Sequence, residues 1–81
     1  MRNPQDIVLI TGCGSGIGKA LAQRFHREGV RVCATARRLA TLSDLAEQGI
    51  MTRPLDVCEP SQITALLTDL KARGWHVHLS L

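Results

Sequence analysis

Tyrosine is missing from this 81-residue sequence, and phenylalanine and tryptophan occur once each. A chain so poor in aromatic rings cannot build the stacking platform on which single-stranded nucleic acid lies. Basic residues exceed acidic ones only modestly, ten against seven, for a formal charge of +3. They are mostly arginines spread along the chain, with lysine only at Lys19 and Lys71 and no block of like charge. This pattern reads as a solvated basic surface, and no nucleic-acid partner is expected. Long apolar runs are absent too. The longest aliphatic stretch, Ile7–Ile10, falls far short of the roughly 20 residues a membrane helix needs, so no transmembrane segment is expected. The opening residues, Met1 to Asp6, carry no apolar core of a secretory signal. The three cysteines, Cys13, Cys33 and Cys58, are odd in number and lack a pairing pattern, which predicts reduced thiols and a cytoplasmic setting. Cys33 lies in an apolar run and reads as core. Cys13 precedes a helix start, a position that can lower a thiol pKa, but its small size in a tight loop favours inert packing. At this length the chain is one domain with a small core.

What the sequence does have is a concentrated glycine loop. Residues 7–18 read Ile-Val-Leu-Ile-Thr-Gly-Cys-Gly-Ser-Gly-Ile-Gly, and Lys-Ala-Leu-Ala follows. An apolar strand runs into the loop, and the loop opens a helix. Bare backbone N–H groups and the positive end of a helix then meet at one point, where a phosphate or pyrophosphate is stabilised. The spacing narrows the ligand. A Walker loop needs glycine where Cys13 stands and a hydroxyl where Ala20 stands, so ATP or GTP hydrolysis is set aside. The pattern Gly-x-Gly-x-x-Gly, started at Gly12, needs glycine at Ile17. The spacing that fits is Thr11-Gly12-x-x-x-Gly16-x-Gly18, in which glycines make the turn, admit the pyrophosphate and let helix and strand pack closely. The plain alternative is a glycine-rich strand-to-helix turn without a ligand.

Along the chain, Ile7–Thr11 is an unbroken apolar strand, as in a parallel sheet covered on both faces. Gly16–Glu28 follows as a helix, with Ile17, Leu21, Phe25 and Ala20 expected as its buried stripe and Gly29 as its terminator. Val30–Ala36 is a second strand. Thr41–Asp44 resembles a capping box for a short helix that buries Leu42 and Leu45 and closes at Gly49. Ile50–Val57 is a third strand, interrupted by Pro54 and therefore placed at a sheet edge. Pro60 opens a helix to Arg73, with Ile63, Leu66, Leu67 and Leu70 on one face and Gly74 at its end. Trp75–Leu81 begins a fourth strand. The order β-α-β-α-β-α-β with right-handed crossovers predicts an α/β, Rossmann-type doubly wound parallel sheet: four strands in spatial order 3-2-1-4 and three helices. The ligand crevice then lies beyond the carboxyl ends of the strands.

Three segments at matching spacing, Thr11–Gly18, Ala34-Thr-Ala-Arg-Arg38 and Leu55-Asp-Val57, resemble the N-terminal part of the short-chain dehydrogenases/reductases. The flavour is that of the branch with 17β-hydroxysteroid and retinol dehydrogenases and acyl-dihydroxyacetone-phosphate reductases. The resemblance runs from about Asp6 to Gly74. It implies a single incomplete NADP(H)-binding domain over residues 1–81. Gly12, Gly16 and Gly18 would shape the pyrophosphate turn, Ile17 would offer a backbone N–H, and Ser15 a hydroxyl near the adenosine phosphate. Asp56 and Val57 would border adenine, although Asp56 also suits a strand-end capping carboxylate.

Arg37 and Arg38 stand where an NAD site places an acid, about 20 residues beyond the glycine loop. A guanidinium there would pair with the 2′-phosphate of NADP, a charge-assisted bond of roughly 1.5–3 kcal/mol. Two solvated loop arginines are the alternative.

The family's Asn-Asn-Ala-Gly does not follow strand 4. Its catalytic Asn, Ser and Tyr-x-x-x-Lys are absent from this chain, so no catalytic residue is assigned. The implied function is the dinucleotide half of an NADP(H)-dependent carbonyl or alcohol oxidoreductase working by hydride transfer, inactive alone. The competing reading is a non-catalytic module that binds nucleotide or a partner. Self-association or pairing with a full-length relative is expected, because strand 4 leaves an open edge. His76 and His78 fall on one face of that strand with no acid near in sequence, and no metal site is expected.

Overall fold

The computed structural model describes residues 3–80. Strand β1 (Asp6–Ile10), helix α1 (Gly16–Arg27), strand β2 (Val32–Ala36), helix α2 (Ser43–Glu47), strand β3 (Met51–Pro54), helix α3 (Pro60–Ala72) and strand β4 (His76–Ser80) follow in order. The four strands form one sheet in the order β3-β2-β1-β4. Every pairing is parallel, with Val8 opposite Val32, Asp6 opposite His76 and Cys33 opposite Met51. This is the 3-2-1-4 arrangement expected from the sequence, with the proline-bearing strand at one edge. The expected extension of the fourth strand to Leu81 lies outside the described residues.

The central strands are apolar on both sides because both sides are covered. Val8, Ile10, Val32 and Ala34 pack with Ala22 of α1 and with Leu42 and Leu45. Ile7, Leu9 and Cys33 pack on the other face with Leu55 and with Leu66 and Leu70 of α3. Each helix ends alike: Val30, Ile50 and Trp75 donate backbone N–H bonds to the carbonyls of Phe25, Leu45 and Leu70. These are Schellman closures around Gly29, Gly49 and Gly74, and each throws an apolar residue back onto the fold.

Three local expectations are corrected. Ile17 is 87% exposed and Ala20 is also exposed, while Ala22 is fully buried and Leu21 and Phe25 are half-buried. Helix α1 meets the glycine loop at Gly18 and the sheet at Ala22, which turns Ile17 away. Thr41 does not cap α2. It lies in a 3-10 turn, Leu39–Leu42, and its hydroxyl donates to the Arg38 carbonyl at 2.7 Å. Leu42 and Leu45 are nevertheless fully buried. Strand β3 stops at Pro54 and does not reach Val57, because after Leu55 the chain enters the turn that precedes α3.

The parallel register also supplies an acid that sequence distance hid. Asp6 stands across from His76, with its Oδ1 at 3.0 Å from His78 Nε2 and 3.7 Å from His76 Nδ1. Among the described residues no group of three His, Cys, Asp or Glu side chains is arranged to hold a metal ion. The hydrogen bond with His78 holds the Asp6 carboxyl below the usual carboxylate range. A carboxyl lowered in the folded state stabilises above its unfolded pKa and loses that contribution as pH falls through its folded value. Asp6→Asn is therefore expected to lower Tm at about pH 7, by a gap that narrows as pH falls below the ordinary carboxylate value to about pH 3. Thermal melts at the two pH values read this, and an equal gap at both would refute it.

Candidate functional site

The strand carboxyl ends open onto a crevice of about 950 Å³. Its first wall is the glycine loop. Gly12 (φ 67°) and Gly16 (φ 63°) take left-handed backbone that a side chain disfavours, and neither has a neighbour where a β-carbon would stand. Gly18 has a different reason. A β-carbon there would lie 2.8 Å from the Gly12 carbonyl carbon, so its bareness lets α1 close on the loop. Thr35 of β2 stitches together the loop and the end of β1 that feeds it. The Cys13 N–H donates to the Thr35 carbonyl at 2.8 Å, and the buried Thr35 hydroxyl donates to the Ile10 carbonyl at 2.8 Å. Cys13 is fully buried, with its thiol donating to the Ile10 carbonyl at 3.3 Å. Burial pushes this thiol up rather than down, so it is packing and not a nucleophile. Cys33 is likewise core, its thiol pushed up to about 11 by burial.

Ser15 is the N-cap of α1, with extended backbone and a hydroxyl that makes no cap bond. The first turn of α1 carries no acid. The positive end of the helix is therefore not neutralised by its own side chains, a setting that favours an anion.

The second wall comes from the end of β2, where Ala36, Arg37 and Arg38 line the crevice. Arg37 is largely exposed, with Nε 3.8 Å from Asp56 Oδ2. Such an exposed pair holds a guanidinium weakly and leaves it free to change partner. The third wall is the turn after β3. Asp56 Oδ1 accepts from the Cys58 N–H at 2.9 Å, and the Asp56 N–H donates to Gln62 Oε1 at 2.9 Å. The capping role is thus present, while Oδ2 faces Arg37. Val57 beside it is half exposed.

Of the nine residues singled out from the sequence, Gly12, Ser15, Arg37, Arg38, Asp56 and Val57 line this one crevice. Gly16, Ile17 and Gly18 instead form the first turn of α1. Other lining residues were not singled out, among them Gly14, Thr41 and Gln62. Gln62 sits at the third position of α3, where a capping-box glutamine is common, and that was the available signal. Nothing in the sequence marked Thr41 as part of a ligand crevice.

A parallel 3-2-1-4 sheet with a glycine loop feeding its first helix defines a Rossmann-type nucleotide-binding fold. The model of the short chain dehydrogenase family matches residues 6–79. The chain belongs to that family. It is 45% identical over 60 residues to the NADPH-dependent 1-acyldihydroxyacetone phosphate reductase of Schizosaccharomyces pombe, covering 73% of this chain and 20% of that protein. A crystal structure of a short-chain dehydrogenase from Streptomyces avermitilis superposes with a TM-score of 0.86 at 32% identity, covering 98% of this chain and 30% of that one. The 4-hydroxyisoleucine dehydrogenase solved with NADH superposes with a TM-score of 0.75 at 25% identity, covering 86% and 30%. The chain thus spans a fifth to under a third of the length of these proteins. Among the described residues, no helix is long and apolar enough to cross a membrane.

Proposed function

We propose that the crevice binds NADP(H) and that the chain is the cofactor-binding part of a carbonyl or alcohol oxidoreductase. The observation that carries the reading is the placement of Arg37 and Arg38 at the end of β2, on the same crevice as the glycine loop. The named proteins divide between the cofactors, NADPH for the Schizosaccharomyces reductase and NADH for the 4-hydroxyisoleucine dehydrogenase. A ribose 2′-hydroxyl is met by a carboxylate and a 2′-phosphate by a guanidinium, so the two arginines favour the phosphate. Loop amides around Gly12 and Gly16, with the end of α1, suit the pyrophosphate. Asp56 and Val57 suit the adenine. When bound, the nicotinamide supplies hydride transfer. The residues of this chain bind and orient it.

The sequence holds no tyrosine, so the family's tyrosine proton donor has no counterpart in this chain. That supports nucleotide binding without turnover by the 81 residues alone, and it equally supports a non-catalytic binding module. Leu79, 64% exposed on the outer strand β4, supports self-association. Three free thiols support a cytoplasmic setting. The test is calorimetry on the chain, with circular dichroism first establishing order. NADPH is expected to bind more tightly than NADH, and no heat with NADPH from an ordered sample overturns the reading.

A further inference from the structure

Thr41 and Gly14 meet across the crevice, one from the turn that carries the arginines and the other from the glycine loop. A β-carbon on Gly14 would stand 2.8 Å from Thr41 Oγ1 and 3.2 Å from Thr41 Cβ. Real β-carbons do not approach so closely, so the threonine fills the space that the glycine leaves. The Thr41 hydroxyl cannot simply rotate away at no cost. It donates to the Arg38 carbonyl at 2.7 Å and closes the 3-10 turn that follows the two arginines. Gly14 is not among the glycines with positive φ, so its bareness is explained by the neighbour and not by the backbone.

We propose that the Gly14–Thr41 contact sets the spacing between the pyrophosphate loop and the arginines of β2, making Thr41 a positioning residue for discrimination between NADPH and NADH. The inference rests on the NADP(H) reading given under Proposed function. A dinucleotide bridges both loops: its pyrophosphate rests on one and its 2′-phosphate on the other. Pushing the loops apart strains only the ligand that must reach both at once. NADPH must, whereas NADH carries no 2′-phosphate for the arginines to meet.

The experiment is a swap. Gly14→Ala adds the methyl, Thr41→Ala vacates the space, and the double variant does both. Dissociation constants for NADPH and NADH are measured for each on samples whose melts show folding. Gly14→Ala is expected to reduce the NADPH-over-NADH preference about tenfold, one decade in the ratio of dissociation constants. The double variant is expected to regain the preference to within about threefold, since the methyl then replaces the threonine's bulk. A merely structural role would weaken both cofactors alike and leave the ratio unmoved.

An unchanged ratio in Gly14→Ala, or a double variant no better than it, overturns the proposal while leaving the NADP(H) reading intact. A parent chain that binds both cofactors equally overturns that reading, and the role of Thr41 with it. If Gly14→Ala does not fold, Thr41→Ser and Thr41→Val decide. The serine keeps the hydroxyl bond to Arg38 and is expected to keep the ratio. The valine loses that bond and is expected to reduce the ratio about threefold, and equal ratios in the two overturn the proposal.

Discussion

Arg37→Asp is expected to weaken NADPH binding about ten- to hundredfold while changing NADH affinity by less than about threefold, the span of one charge-assisted hydrogen bond. The argument is local. The guanidinium is largely exposed at the crevice wall and is held only at 3.8 Å by the carboxylate of Asp56. It is therefore free to pair with a phosphate dianion. An acid in its place repels that dianion and offers an acceptor to a ribose hydroxyl. The fold should tolerate the change, because exposed ion pairs contribute little to stability. Titration of both cofactors against both proteins decides it. A ratio of dissociation constants that does not move would show that Arg37 is an ordinary solvated side chain.

Gly18→Ala is expected to damage binding of both cofactors equally. Here the obstruction is backbone, since the added methyl meets the carbonyl carbon of Gly12 at 2.8 Å. Only a shift of α1 away from the glycine loop can relieve it. That shift misplaces the loop amides and the helix end together, so NADPH and NADH should fall by a common factor. The strain should also lower stability by about 2 kcal/mol, equivalent to about 8–16 °C in Tm for a domain of this size. The two substitutions form a contrast: one moves the ratio and spares the fold, the other moves the fold and spares the ratio. Binding and melting unchanged in Gly18→Ala would mean that helix and loop do not need to touch.

The topology was legible because its signals are local and strong. Ile7–Ile10 is continuous and aliphatic, each helix is followed by glycine, and Pro54 cannot sit inside a ladder, which fixes an edge. The site was legible for the same reason at Gly12, Arg37 and Asp56, where strand ends are recognisable from flanking residues. Ile17 was misplaced because a helical wheel cannot tell which face a neighbour will claim. The contact of Gly18 with Gly12 makes that choice, and it is a tertiary fact. Thr41 has the spacing to Asp44 of a capping box, yet it lies inside the 3-10 turn before α2, where its hydroxyl donates to the Arg38 carbonyl and Leu42 takes the cap position. The acid beside His78 escaped notice because Asp6 lies 72 positions away, and only the parallel register of β1 and β4 brings the two together.

That register has a consequence for how the molecule comes into being. Strand β1 is the hub of the sheet, bonded on one side to β2 and on the other to β4. Its first neighbour is near in sequence, with Ile10 and Thr35 only 25 positions apart, whereas its second is distant, with Asp6 and His78 72 positions apart. Closing so long a loop is entropically slow, and sheets dominated by distant pairings fold late. A nascent chain halted anywhere before His76 carries its most apolar strand with one flank bare. It is in that interval that a chaperone would find the most to hold.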